Sequence, residues 1–236
     1  MKIERKVIDG IPALIWGDKS DKVFITVHGN MSNKEDEVIK ILAEIVVNSG
    51  YQLLSFDLPE HGDRKNDTAY LCKVQNCVKD LNDIMEYAKK NYKKINLWAC
   101  SMGAYFSLLA YKTEDVGQCI FLSPIVNMKI VIDNMMIWSN VTEKELQALK
   151  EIKTNFKETL YWDYYKYVKD NPVTNWNKKT YILYGNKDNM QSEDIIKAFS
   201  NKFNCTLQIL ENGEHYFHTK EQLDFYKEWL NKIIMW

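Results

Sequence analysis

Ser101 stands in the stretch Ala99-Cys100-Ser101-Met102-Gly103, between a short buried apolar segment and a helical one. A serine at a sharp strand-to-helix turn projects its hydroxyl clear of the backbone. Small residues two before and two after it relieve the crowding there. Ala99 and Gly103 meet that need. Cys100 is a rival nucleophile, but choosing it puts Met102 where a small side chain is required, so the register favours Ser101. A hydroxyl attacks only when a base takes its proton, and the base needs a carboxylate to orient it. Asp188 follows a predicted strand in Gly185-Asn186-Lys187-Asp188, and His215 follows the last one in Gly213-Glu214-His215-Tyr216. His218 is the alternative base. It reads instead as the lead-in to the final helix, which Thr219 and Gln222 cap as a box. Asp57 is the alternative acid, although it reads first as a residue tying down its own loop.

These groups meet only if several strand ends reach one edge of a sheet. Ile3 to Ile8 and Pro12 to Trp16 read as strands around a turn at Asp9-Gly10. Lys22 to Val27, Tyr51 to Phe56, Ile95 to Ala99, Cys119 to Leu122, Thr180 to Tyr184 and Thr206 to Leu210 read as further strands. Between them lie helical patterns. One carries Val38, Ile41, Leu42 and Ile45 behind a capping box of Ser32 and Glu35. A longer one runs from Leu71 to Ala88, and others cover Ala104 to Tyr111, Ser192 to Phe199 and Gln222 to Ile234. Alternating strands and helices give a mostly parallel sheet covered on both faces. The alternation breaks between Pro124 and Trp176. There Thr142 and Glu145 cap a helix, and Phe156, Tyr161, Trp162, Tyr164, Tyr165 and Tyr167 crowd together.

The chain resembles the serine α/β hydrolases over nearly its whole length. The likeness is to the small capped group of monoacylglycerol lipases, carboxylesterases, feruloyl-type esterases and proline iminopeptidase-like enzymes. It rests on His28-Gly29, Asp57-x-Pro59-x-His61-Gly62, Ser101-x-Gly103, Gly185-x-x-Asp188 and Gly213-x-His215, in the family's order and each after a predicted strand. Ala99 and Glu60 stand where the family has glycine, and Arg64 where it often has serine. The resemblance implies an α/β-hydrolase fold with a core of residues 1–123 and 177–236 and a helical cap, or lid, of residues 124–176. It implies a triad of Ser101, Asp188 and His215, with backbone N–H groups of Asn30 and Met102 as the oxyanion hole. The reaction expected is hydrolysis of a carboxylic ester through an acyl-enzyme, without metal or organic cofactor. Thioester and amide hydrolysis share the same machinery, and a catalytically idle ligand-binding protein is the reading from another class.

The rest of the sequence bounds these expectations. The 31 Lys+Arg against 32 Asp+Glu lack the basic excess of a nucleic-acid binder. The longest uncharged run, Ile95 to Tyr111, falls short of the ~20 residues of a membrane span. No apolar stretch follows Met1, and the five cysteines form neither a zinc pattern nor an even disulfide set, so a reduced, cytoplasmic protein is expected. The partner expected is a small-molecule ester, and the sequence leaves oligomeric state open. Met128, Met135, Met136, Trp138, Trp162 and Tyr165 are the candidate substrate contacts from the cap, against a reading in which they only pack. Glu60, Asp63 and Asp133 are candidates to hold a substrate ammonium. His28 and His61 read as loop anchors, and Arg64 as a solvated loop residue or an anion contact.

Overall fold

Asp9 and Gly10 both adopt positive φ, 47° and 85°, as a two-residue primed turn requires. They close a hairpin between β1 (Ile3–Ile8) and β2 (Ile11–Trp16), with Ile8 opposite Ile11. The chain then alternates through β3 (Lys22–Val27), α1 (Glu37–Asn48), β4 (Gln52–Phe56), α2 (Val74–Asn91), β5 (Lys94–Cys100), α3 (Met102–Ala110) and β6 (Gln118–Leu122). An insertion follows, made of α4 (Met128–Trp138), α5 (Glu143–Leu149), β7 (Glu151–Lys153), β8 (Thr159–Tyr161) and α6 (Trp162–Asp170). Alternation resumes with β9 (Lys179–Gly185), α7 (Glu193–Lys202), β10 (Thr206–Leu210) and α8 (Lys220–Ile234). The structure, a computed structural model, describes residues 1–155 and 158–234. Phe156 of the aromatic group lies outside the described residues.

Eight strands form one sheet in the order β1-β2-β4-β3-β5-β6-β9-β10. Within this sheet, among the described residues, only the β1–β2 and β2–β4 pairings are antiparallel; β4, β3, β5, β6, β9 and β10 run parallel. Central strands bury both faces, as a parallel sheet must. In β5, Ile95, Leu97 and Ala99 enter the core layer on the α2 and α3 side, while Trp98 enters the layer shared with α1 and α8. The order reverses at β3: α1 leads outward to β4, and α2 leads back across to β5. The loops after β3 and β5 therefore diverge, opening a crevice at the carboxyl ends of the strands, where ligands of open α/β sheets bind.

Two local expectations fail. The Ser32–Glu35 capping box does not form. Helix α1 starts later, capped by Asp36, whose Oδ1 accepts the Glu37 N–H at 2.7 Å. The Ser32 hydroxyl instead donates to the Asp36 carboxylate. The cause lies in Lys34, which is drawn into a buried ion pair with Asp57 at 2.5 Å and so cannot sit in a solvated first turn. The insertion is also not wholly helical, because β7 and β8 pair antiparallel, with Ile152 opposite Leu160.

Candidate active site

Ser101 takes φ 51° and ψ −124°, an uncommon conformation for a residue with a Cβ. Hydrogen bonds on both sides hold it there. Its N–H donates to the Leu122 carbonyl (3.2 Å), and its carbonyl accepts from Ile125 (3.0 Å) and Ala104 (3.1 Å). Gly103 allows the turn to close against β3, since a Cβ there would lie 2.4 Å from the His28 carbonyl oxygen. Burial pushes the neighbouring Cys100 thiol up to about 12, which leaves it protonated and unreactive.

The Ser101 Oγ lies 2.8 Å from His215 Nε2, and His215 Nδ1 lies 2.6 Å from Asp188 Oδ2. Asp188 is held from its other oxygen, where Oδ1 accepts the N–H groups of Met190 (2.7 Å) and Gln191 (3.3 Å). The loops after β9 and β10 meet through glycine on glycine. A Cβ on Gly185 would lie 2.3 Å from the Gly213 carbonyl carbon. Without side chains there, Lys187 N–H reaches the Gly213 carbonyl (2.8 Å) and the carboxylate and imidazole come into register. His218 is placed elsewhere: its Nδ1 contacts the Tyr216 carbonyl (2.8 Å), and its N–H donates to Gln222 Oε1 (3.1 Å). Thr219 Oγ1 accepts the Gln222 N–H at 3.3 Å, so half of the expected capping box forms.

Two loops flank the serine. His28 is buried and its pKa falls to about 4, chiefly because burial disfavours the imidazolium. It is therefore neutral, with Nδ1–H donating to the Gly29 carbonyl (2.8 Å) and Nε2 accepting from Leu58 (3.0 Å). Asp57 accepts the N–H groups of Lys34 (3.0 Å) and Asp63 (2.9 Å) besides the Lys34 ammonium. His61 joins the loops again, its Nε2 accepting the Met31 N–H at 3.2 Å and contacting Asn30 Oδ1 at 3.2 Å. Asp57, His28 and His61 are thus loop anchors. Arg64 is not solvated: its guanidinium sits 2.5 Å from Asp80, both side chains largely buried, because the Asp57 carbonyl draws it inward at 3.2 Å. Asn30 and Met102 line the same cavity as Ser101. Met102 opens α3, where backbone N–H groups lack intrahelical partners. Among the described residues, no acceptor is paired with the backbone N–H of Asn30 or Met102.

The cavity over Ser101 has a volume of about 480 Å³. Helix α4 supplies one wall through Met128, Val131, Ile132 and Met135, the i, i+3, i+4, i+7 face of a helix. Among the described residues, no group of three or more His, Cys, Asp or Glu is arranged to hold a metal ion. A family model described as serine aminopeptidase, S33, matches residues 18–171. The chain belongs to the serine aminopeptidase S33 family. No curated protein matches it in sequence. Among solved structures, Est1E from Butyrivibrio proteoclasticus with bound ferulic acid is similar, with TM-score 0.78, 19% identity and 98% of each chain covered. Mouse alpha/beta hydrolase domain-containing protein 10 has TM-score 0.77 and 14% identity, covering 100% of this chain and 99% of its own. An esterase from Pyrococcus furiosus has TM-score 0.68 and 17% identity, covering 98% of this chain and 87% of its own. These likenesses establish the α/β-hydrolase fold.

The S33 match spans Ser101 and most of the insertion and stops before Asp188 and His215. Within that insertion, the substrate contacts expected from sequence divide. Met128 and Met135 line the cavity, and Met136, Trp138, Trp162 and Tyr165 do not, Met136 being buried on another face of α4. Trp138 ends α4 and is 61% exposed, because the helix runs on past the cavity edge. Trp162 packs beside Tyr165 (6.1 Å between rings), and its backbone N–H donates to the Lys150 carbonyl (2.8 Å). Tyr165 is buried and donates to Asp133 Oδ1 (3.0 Å), joining α6 to α4. Among the described residues, the tyrosines on the cavity are Tyr161 and Tyr164, the same spacing one residue earlier. Glu158, which sequence reasoning missed, also lines it and accepts from Asn30 Nδ2 at 3.2 Å. Nothing local in the sequence marks it, because the contact that places it spans 128 residues. Of the expected ammonium partners, Asp63 is paired with Lys34 (2.8 Å) and Asp133 with Lys129 (2.6 Å), while Glu60 lines the cavity. Among the described residues, no helix is long and apolar enough to cross a membrane.

Proposed function

We propose that this S33-family chain hydrolyses carboxylic esters of medium-chain or aromatic acids. The observation that carries the reading is the Ser101–His215–Asp188 run of contacts, at 2.8 and 2.6 Å, beside an apolar cavity. Ser101 Oγ attacks the ester carbonyl while His215 Nε2 takes its proton. Asp188 holds the imidazole with Nδ1 protonated and stabilises the imidazolium. The backbone N–H groups of Asn30 and Met102 receive the developing oxyanion, a single such donor contributing about 3 kcal/mol. The imidazolium gives its proton to the leaving alcohol, and water then attacks the acyl-enzyme with His215 again as base. The acyl group lies along the insertion, which acts as a cap. Its wall of Ile132, Met135, Leu160 and Tyr164 suits an alkyl chain or an aryl ring. The ferulic acid bound by Est1E is an aromatic acid of that kind.

A second reading has one observation in its favour. Glu60 and Glu158 both line the cavity, and among the described residues neither is ion-paired. Two such carboxylates suit a substrate with a free ammonium, so an aminoacyl amide is the rival substrate. A fluorophosphonate probe followed by a matched panel decides between them. Probe labelling lost in Ser101→Ala, with p-nitrophenyl octanoate and methyl ferulate cleaved faster than aminoacyl p-nitroanilides, is the expected result. Faster cleavage of the anilides replaces the ester reading with the amide one. Absence of labelling removes both.

A further inference from the structure

The cavity wall also carries a thiol. Cys72 lines the cavity, and its sulfur lies 3.6 Å from that of Cys77 in the first turn of α2. The two are five residues apart, which matches no metal or redox motif and gave the sequence no reason to join them. Cys72 is in an irregular segment just before the helix, where the positive end of α2 favours a thiolate. We propose that Cys72 and Cys77 form a peroxide-reactive thiol pair that closes to a disulfide in the cavity wall.

The surroundings divide the roles. The Cys77 thiol hydrogen-bonds the Cys72 sulfur and, with the nearby His61 imidazole, holds the Cys72 thiol well below its ordinary range. Burial and the nearby Glu60, whose Oε2 accepts the Cys72 N–H at 2.6 Å, work the other way and do not prevail. Burial and the Cys72 neighbour push Cys77 well up, so it keeps its proton. The more exposed Cys72 is then the attacking thiolate, and the buried Cys77 is the resolving thiol. Hydrogen peroxide, or a small organic hydroperoxide, reaches Cys72 through the cavity. The Cys72 sulfur attacks one peroxide oxygen, the O–O bond breaks, and water or alcohol leaves once protonated. Cys72 is now a sulfenic acid, two electrons oxidised. The Cys77 sulfur attacks the Cys72 sulfur, the S–O bond breaks, and the hydroxide leaves as water with the Cys77 proton. The sum is two thiols and one peroxide to one disulfide and two molecules of water, or one of water and one of alcohol. The sulfurs need to close to about 2.05 Å, a movement for the loop-borne Cys72 to make. The bond draws Cys72 off His61 and reshapes the wall next to Asn30.

Lys73 makes the test direct, because trypsin separates the two cysteines into peptides 66–73 and 74–79. The intact protein is treated with equimolar hydrogen peroxide at neutral pH, alkylated in denaturant and digested. The expected product is peptide 66–73 linked to 74–79, two hydrogens lighter than their sum and released by dithiothreitol. In Cys77→Ser, whose hydroxyl can still hydrogen-bond the Cys72 sulfur, dimedone should instead trap a sulfenic acid on Cys72, with no linked peptide formed. Cys205, whose thiol burial raises to about 11, is the internal control. Cys72 should be consumed at least about tenfold faster. Oxidation of Cys72 no faster than Cys205, or a wild-type Cys72 that stays trappable by dimedone with no linked peptide, overturns the proposal. None of these readouts depends on ester hydrolysis.

Discussion

At Ser101 the backbone is held in an unfavourable conformation by three hydrogen bonds, and the side chain it presents is a hydroxyl already in contact with an imidazole. Nothing in that arrangement stabilises the core, so removing the hydroxyl should silence chemistry and spare folding. Ser101→Ala is expected to lower kcat for ester hydrolysis by about 10⁴–10⁶ with an unchanged melting temperature. Cys100→Ser should retain most activity, because the Cys100 thiol is buried and protonated. If Cys100→Ser were the inactive variant and Ser101→Ala the active one, the nucleophile assignment would be wrong. The two nearby histidines give an independent comparison. His215 bridges Ser101 and Asp188, while His218 faces a carbonyl and stacks on Tyr216 at 5.1 Å. His215→Ala should lose about 10⁴ or more in kcat, and His218→Ala less than about fivefold, by steady-state kinetics on one chromogenic ester. Equal losses in the two would remove His215 from its special place.

Among the elements, the ones legible in the sequence are those whose signal is local. Lys22–Val27 and Thr206–Leu210 end where their apolar runs end, and the Asp9-Gly10 turn follows from its residue types alone. The serine, carboxylate and imidazole were legible because each follows a strand and carries a glycine whose absence would block the turn. What was not legible depends on contacts distant in sequence. The start of α1 is set by Asp57, 23 residues beyond Lys34. The phase of α6 is set by Tyr165 reaching Asp133, 32 residues back, so spacing alone could not tell whether Tyr161 and Tyr164 or Trp162 and Tyr165 meet the cavity. That phase makes a prediction about selectivity. Met135 and Tyr164 line the cavity, and Trp138 stands outside it. Each acyl CH₂ buried there can contribute up to about 0.8 kcal/mol, roughly fourfold in kcat/KM. Met135→Ala and Tyr164→Ala should therefore flatten the rise in kcat/KM from acetate to octanoate esters while sparing acetate. Trp138→Ala should leave the slope as it is. A chain-length series on the three variants checks this, and a slope altered only by Trp138→Ala would reverse the assignment of the wall.

For the whole molecule, the loops at the switch point join the strands of the central sheet, so their anchors bear on global stability as well as on the site. His28 is the one whose protonation opposes folding. In the native state its pKa is lowered from 6.5 to about 4, because burial disfavours the imidazolium. Its Nε2 must also stay unprotonated to accept the Leu58 N–H. The unfolded chain therefore binds more protons than the native one between those two values, and stability rises with pH across that window. Its contribution is complete above pH 6.5 and is lost as pH falls toward 4. Lowering it from 6.5 to about 4 corresponds to roughly 3 kcal/mol at most. His61 acts with the opposite sign. Burial lowers its pKa, but the neighbouring Cys72, the Pro59 carbonyl and the nearby Glu60 carboxylate outweigh burial and raise it above its ordinary value, so its stabilisation is present in acid and fades as pH rises through its folded value. The two must be separated by substitution. His28→Gln keeps an acceptor for Leu58 and removes the titrating ring. It should be less stable than wild type at pH 7.5, from lost packing, yet lose less further stability down to pH 4.5. Urea denaturation at pH 7.5, 6.5, 5.5 and 4.5 reads both slopes. The wild-type curve should fall more steeply between pH 6.5 and 4.5, with the excess over His28→Gln approaching 2–3 kcal/mol. Parallel curves would mean that acid destabilisation comes from the carboxylates alone, and that the neutral imidazole under the Asn30 loop plays no part in it.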